Sequence, residues 1–340
     1  METVDRKLAS IRMIDEINPI ENADAIEVAT IGGWKVVVKK GEFKAGELAV
    51  YFEIDSWIPV ELAPFLCKGT EPRVYGGVRG ERLRTIRLRG QISQGLLLPL
   101  EPTCANIASQ LFEGLDVTFP LNIQKWEAPI NAQLAGMARG NFPQAVPKTD
   151  QERIQNLKKE LETYRGKRFE ITEKLDGSSC TFYMDTEGEF HVCSRNLDLK
   201  EDENNSFWKE ALRIGLREKM LEDFKGIAIQ GELIGEGIQG NQYQLKGQAF
   251  RVFDVYNVNS GKYFDTFERQ AIIDILGLQH APIIGVVTLE GQTIEELLKY
   301  AENKSALNGS EREGLVWKCV DNTHISFKTI SNRWLIRNAC

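Results

Sequence analysis

Lys174 and Asp176 lie two residues apart in the stretch 170-EITEKLDGSS-179. Glu170, Thr172 and Lys174 alternate with Ile171, Glu173 and Leu175 at the period of a strand. Asp176-Gly177-Ser178-Ser179 then supplies turn chemistry. A strand-end lysine projects into the cleft that its strand borders, and Asp176 points to the same side if the extended geometry persists. Gly177 lets a ligand approach without a Cβ in the way. A lysine whose pKa is lowered by desolvation or by a neighbouring cation is a competent nitrogen nucleophile. A K-x-D-G tetrapeptide arises by chance on the order of once in ten chains of this length. The motif therefore needs partners.

The partners come in order along the chain: Arg195, Glu232, Phe253, Glu313, Lys318 and Lys328. A lysine nucleophile, Lys174, would attack the α-phosphate of a nucleoside triphosphate and release pyrophosphate. Arg195, Lys318 and Lys328 would oppose the charge on the phosphoryl oxygens, and Asp176, Glu232 and Glu313 would hold a hydrated Mg²⁺. Phe253 can stack on a base. Singly, each has a duller reading. Phe253 and Val316 are core residues by burial statistics, Glu232 is a turn carboxylate between Gly231 and Gly235, and Arg195 and Lys318 are solvated cations. All the dull readings would have to coincide in one ordered set.

Two domains must position this set, since 340 residues suffice for two cores. A hydrophobic fraction of 42%, a charged fraction of 27% and a net charge of −7 describe a globular chain that does not advertise nucleic-acid binding. No apolar run approaches a membrane span, and the charged N-terminus does not read as a signal peptide. Six scattered cysteines and three histidines argue against zinc and against a disulfide framework. Those readings predict a cytoplasmic or nuclear protein.

Residues 1–120 read as all-β, with strands at 8–17, 25–31, 34–40, 47–54, 81–89 and 94–100, a pattern that suggests an OB-like barrel. Arg73, Arg79, Arg82, Arg84, Arg87 and Arg89 concentrate there as candidate nucleic-acid contacts. The alternative is a charged barrel edge that blocks strand pairing. An offset in their alternation predicts a bulge at Thr85–Ile86. Pro120, three further prolines and two glycines mark residues 121–147 as a linker. From 148 the chain reads as an α+β domain to residue 340. Thr149 and Glu152 have capping-box spacing, which predicts a helix to about Tyr164. Arg153 would then sit in its first turn, where the helix dipole disfavours a cation and an anionic ligand would help. Asp265 with Glu268 and Thr293 with Glu296 predict two more capped helices.

The order and spacing of 174-KLDG-177, 194-SRN-196, 231-GEL-233, 252-VFDVY-256, 313-EGLVWK-318 and 327-FK-328 resemble the covalent nucleotidyltransferase superfamily of polynucleotide ligases and capping enzymes. With the N-terminal module, and 147-PKTDQERIQN-156 as a lead-in, the chain resembles RNA ligases of the Deinococcus and Naegleria type. The resemblance implies ATP and Mg²⁺ or Mn²⁺ as cofactors, with AMP carried covalently on Lys174. It implies that Phe253 and Val316 sandwich adenine and that Arg153 and Arg195 contact phosphates or the polynucleotide end. Glu173, Lys318 and Glu232 are assigned to the nucleotide, Asp176, Glu232 and Glu313 to the metal, and Lys328 to the α-phosphate. Ser326 stands where related RNA ligases often carry the first lysine of a K-x-K motif, so either Lys318 compensates or Lys328 acts alone.

The implied reaction joins 3′-OH and 5′-phosphate ends of RNA, in nick sealing or RNA repair, by an enzyme expected to act as a monomer. DNA ligases and capping enzymes usually carry an OB domain after the catalytic one, and only twelve residues follow Lys328. A catalytically inactive nucleic-acid-binding relative is the reading from another class. The intact lysine, aspartate and glutamates argue against it.

Overall fold

A computed structural model of the chain describes residues 6–107, 110–130 and 132–338. Cys340 lies outside them. By contacts the chain divides into two units. Unit one falls within Met1–Pro129, Gln155–Lys158 and Leu335–Cys340, and unit two within Ile130–Ile154 and Lys159–Trp334.

Unit one carries β1 (Ala9–Met13), β2 (Glu16–Pro19), β3 (Ile26–Ile31), β4 (Trp34–Lys39), β5 (Leu48–Phe52) and β6 (Ser56–Pro59). They are followed by β7 (Arg73–Tyr75), β8 (Val78–Arg82), β9 (Thr85–Leu88), β10 (Gln91–Gln94), β11 (Leu96–Pro99) and β12 (Gln124–Lys125). These form four sheets, ordered β1-β5-β11, β2-β3-β4, β9-β10 and β12-β6-β8-β7, and no closed barrel is present among the described residues. The expected strand at 8–17 is two strands that part at Ile14–Asp15. Ile14 is fully buried, and the Asp15 carboxylate accepts a hydrogen bond from the Gly32 amide at 2.7 Å. The expected strand at 81–89 also divides, at Leu83–Arg84 rather than by a bulge at Thr85–Ile86. Leu83 turns into the core there and releases β9 into a separate hairpin with β10. Leu121 and Ile123, in the stretch read as a linker, are buried in that same core.

Unit two carries β13 (Ala138–Asn141), β14 (Glu152–Arg153), β15 (Arg168–Lys174), β16 (Ser178–Met184), β17 (Phe190–Cys193) and β18 (Leu197–Leu199). Then come β19 (Ile227–Gly235), β20 (Gln248–Asn257), β21 (Lys262–Tyr263), β22 (Ile283–Thr288), β23 (Gly314–Cys319) and β24 (Ser326–Ile330). One seven-stranded sheet runs β13-β18-β17-β16-β19-β20-β21, and a five-stranded sheet runs β14-β24-β23-β15-β22. The Lys174–Gly177 turn is the link between them, because β15 ends in one sheet and β16 begins in the other. Strand alternation sorts the five-stranded sheet into two faces. Phe169, Trp317 and Phe327 fill one face with ring centroids 5.4 to 5.5 Å apart. Lys174, Val316, Lys318 and Lys328 share the other, as the pairings Thr172↔Val316, Glu170↔Lys318 and Val316↔Lys328 require.

The expected helix from Thr149 to Tyr164 does not form. Residues 152–153 are strand, 154–156 a 3₁₀ turn, and the helix covers only Lys158–Thr163. Arg153 instead pairs in parallel with Lys328 of β24, and a ladder to a buried strand outweighs a local cap. The unfavourable dipole position of Arg153 disappears with the helix. Capping boxes do form at Asp265/Glu268 and Thr293/Glu296. The helix from Ser206 is interrupted at Gly215, which adopts φ 65°.

Arg269, on the Thr266–Leu276 helix, donates to Glu170 on β15, and both side chains are at most 4% exposed. Removing one partner strands the other charge in a buried site, a loss of about 3–5 kcal/mol. We expect Glu170→Ala to lower stability by that amount in denaturant unfolding. The double variant Glu170→Leu/Arg269→Met should recover most of it. Equal stability of Glu170→Ala and the parent would show that the pair carries no such burden.

Candidate active site

Lys174 closes β15, and its Nζ donates to Glu313 Oε1 at 2.6 Å. Glu313 immediately precedes β23, in register with the lysine through the Lys174↔Gly314 pair. Glu232 comes from β19, where Ser179↔Glu232 pairing places it beside the start of β16. The turn between β15 and β16 is pressed against β19. A Cβ on Gly177 would meet the Leu233 carbonyl and come within 2.9 Å of Glu232 Cγ, so only glycine fits there. Tyr243, itself buried, accepts a hydrogen bond from the Asp176 amide at 2.8 Å and fixes the same turn.

These carboxylates set the charge state of the lysine. Burial opposes the charge on Lys174, but Glu313, Glu232 and Asp176 together outweigh it and hold the ammonium's pKa above the ordinary lysine value. A lowered pKa, the general route to an amine nucleophile, is not what these neighbours produce. Glu232 responds in the opposite sense. Burial pushes its pKa up to about 8, Lys174 and Arg195 pull it down, and Glu313 and Asp176 push it further up. Glu313 Oε2 is buried without a hydrogen-bond partner among the described residues. Three carboxylates with one oxygen left unsatisfied form an all-oxygen donor set of the kind that suits Mg²⁺ or Mn²⁺.

The cations divide by what they hold. Lys328, 8% exposed on β24, donates to Asp150 Oδ1 at 2.6 Å. Arg195 approaches Asp150 Oδ2 at 3.8 Å from the bend after β17, and Lys148 donates to Asn196 at 2.7 Å. Buried Arg153 is the strand neighbour of Lys328. Lys318 is committed elsewhere. Its Nζ donates to the Phe253 carbonyl and to Asp254 Oδ1, both at 2.6 Å, and so ties β23 to β20. Burial, reinforced by Arg269 and opposed by Asp254, lowers its pKa. Both lysines weighed for the last motif are thus held by an aspartate, Lys328 by Asp150 near Arg195 and Lys318 by Asp254 beside Phe253. Phe253 on β20 and Val316 on β23 are both half-buried, and the Lys318 ammonium stands 5.9 Å from the Phe253 ring centroid.

Glu173 is not brought to this site. It faces away from Lys174, accepts from the Ala306 amide at 2.8 Å, and has its pKa raised by burial. The sequence reading missed Asp150 and Tyr243. Asp150 lies in the 147–156 lead-in but was given no role there, and Tyr243 lies in a loop whose closure onto the turn is a tertiary event. In unit one, Arg73 pairs with Glu81, Arg79 with Glu71 at 2.6 Å, and Arg82 with Asp55 at 2.6 Å. The Arg82 guanidinium also lies 3.7 Å from the Trp126 ring centroid. Arg84 sits between two strands, and Arg87 and Arg89 lie on the exposed β9–β10 hairpin.

The RNA ligase family model matches residues 167–333, and an OB-fold domain model matches residues 8–100. Comparison with curated proteins gives no match. Among solved structures, Naegleria gruberi RNA ligase with pyrophosphate superposes with a TM-score of 0.90 at 44% identity, covering 98% of this chain and 99% of that one. An apo aspartate-to-alanine variant of the same enzyme gives 0.90 at 44% identity, with 98% of each chain covered. A lysine-to-alanine variant with ATP and Mn gives 0.89 at 44% identity, covering 97% and 98%. A lysine held among carboxylates, with cations brought from two sheets, and this likeness over nearly the whole length agree: the chain belongs to the RNA ligase family.

Proposed function

We propose that this chain is an ATP-dependent RNA ligase that acts through a covalent lysyl-AMP on Lys174. The observation that carries the reading is the Lys174–Glu313 contact among three carboxylates, with Lys328 two strands away on the same sheet face. Relatives of the same architecture are solved with ATP, with AMP and Mn, and with pyrophosphate. The donor set here fits the same ligands.

In the first step Lys174 Nζ attacks the α-phosphorus of ATP. A P–N bond forms, the P–O bond to pyrophosphate breaks, and the amine loses its proton. Lys328, Arg195 and Arg153 offset the charge on the phosphate oxygens. Phe253 and Val316 enclose the adenine, and the Lys318 link between β20 and β23 keeps their spacing. A divalent cation held by Asp176, Glu232 and Glu313 would take over the charge that Lys174 now neutralises, and so free its amine for attack. In the second step a 5′-phosphate oxygen of the RNA attacks the AMP phosphorus, the P–N bond breaks, and Lys174 recovers its proton. A 3′-OH then attacks the activated 5′-phosphate, AMP leaves, and a phosphodiester forms. We assign 3′-OH and 5′-phosphate RNA ends as substrates, a monomeric enzyme, and an intracellular, reducing setting. The described cysteines, all buried and free, support the last.

Incubation with ATP labelled at its α-phosphate should transfer label to Lys174, as an adduct of AMP mass in peptide mapping that is labile to acid and stable to alkali, as a P–N bond is. Lys174→Ala should abolish it. Lys328→Ala should slow it at least about a hundredfold, the usual loss for one preorganised phosphate contact. Near-normal labelling of Lys328→Ala would move that role to another cation.

A second test concerns Glu232. Its carboxyl, with a pKa of about 8, holds a proton at neutral pH that a divalent cation must displace. Mn²⁺ affinity of the nucleotide-free protein should rise by about tenfold per pH unit below pH 8 and level off above it. Calorimetry in buffers of different ionisation enthalpy should read close to one proton released per ion at pH 7. Glu232→Gln should abolish that release. Binding without proton release in the parent would mean that Glu232 is already ionised.

A further inference from the structure

The β9–β10 hairpin has features that the rest of unit one does not explain. It forms a two-stranded sheet of its own, with register Leu88↔Gln91 to Thr85↔Gln94. Its base is anchored, because Thr85, Ser93 and Gln94 are buried and Ser93 Oγ accepts from the Val37 amide at 3.0 Å. From Ile86 to Gly90 every residue is exposed.

The turn residues are Arg89, with φ 48°, and Gly90, with φ 83°. Such two-residue turns select Asn, Asp or Gly at the first position, since a Cβ is disfavoured at positive φ. An arginine held there is strained, and strain at a loop tip points to a use for the side chain. Arg87 and Arg89 have no hydrogen-bond or ion-pair partner among the described residues, whereas Arg73, Arg79 and Arg82 are each matched by an acid. The acids beside those three neutralise them, so a net attraction for an anion concentrates on the hairpin. Ile86 and Leu88, 48% and 39% exposed, add an apolar surface to the same finger.

We propose that this hairpin is the RNA-gripping element of unit one. Arg87 and Arg89 engage consecutive backbone phosphates, and Ile86 and Leu88 lie against the sugars and base edges of the same strand. The occupant is fixed by charge and shape: a regular polyanion that presents phosphates beside apolar sugar edges. The inference rests on the RNA ligase reading and narrows the binding surface from an arginine-rich segment to one finger.

The test uses the full-length protein and a nicked RNA duplex with 3′-OH and 5′-phosphate ends. Binding is measured from 50 to 200 mM salt, together with self-adenylylation and joining. Arg87→Gln/Arg89→Gln should weaken binding at least tenfold at the lower salt and reduce the slope of log affinity against log salt by about 2. Self-adenylylation and melting temperature should stay at parent values. Ile86→Ser/Leu88→Ser should weaken binding with the salt slope unchanged. Lys44→Gln, a charge removed from another exposed turn of unit one, should leave both quantities unaltered. Parent-like affinity and slope in the double arginine variant would overturn the proposal. Failure of the parent to form an adduct or to join RNA would instead overturn the ligase reading on which it rests.

Discussion

The structure depends on holding a charged lysine in a place where charge is costly. Lys174 must be an ammonium while the site is empty and an amine when it attacks. Glu313, with Glu232 and Asp176, meets the first demand by outweighing the cost of burying the ammonium, and the raised pKa of Glu232 records chiefly its own burial, with the neighbouring carboxylates adding to it. The same carboxylates meet the second once a cation other than the lysine satisfies them. On the proposed mechanism a single set of oxygens would store the nucleophile and then release it, which would make metal binding a condition of reactivity rather than an accessory.

Such a balance tolerates little movement, and the rest of unit two limits it. Gly177 lets the turn bear on β19, Tyr243 holds the Asp176 amide, and Lys318 ties the adenine-facing strands together. The first two hold the turn that joins the two sheets of that unit, and the third bridges the sheets directly. The apolar stack of Phe169, Trp317 and Phe327 fixes the opposite face of β15, β23 and β24, so the face that carries Lys174 and Lys328 has a rigid back.

The sequence made the chemistry more legible than the architecture around it. K-x-D-G, the two glutamates and the last lysine could be read because their order and spacing along the chain resemble those of a known superfamily. Capping boxes at Asp265 and Thr293 formed, while the identical spacing at Thr149 did not. The difference is tertiary: Arg153 found a strand partner in Lys328, 175 positions downstream, and no local pattern announces that. The arginine-rich segment shows the same limit. Its composition was plain, but which arginines are spent on Glu81, Glu71 and Asp55 depends on pairings that only folding creates.

Asp150 has a consequence for selectivity. In the resting protein its carboxylate sits on Lys328 and near Arg195, so the phosphate cations are already occupied by an internal anion. Any visitor must displace a tethered competitor whose effective concentration is high. Chloride or a single inorganic phosphate gains too little from these cations to win that exchange. A triphosphate, with several contacts to offer at once, can. The tether therefore works as a threshold on ligand valence, keeping the site clear of the small anions that crowd any cell and opening it to the nucleotide.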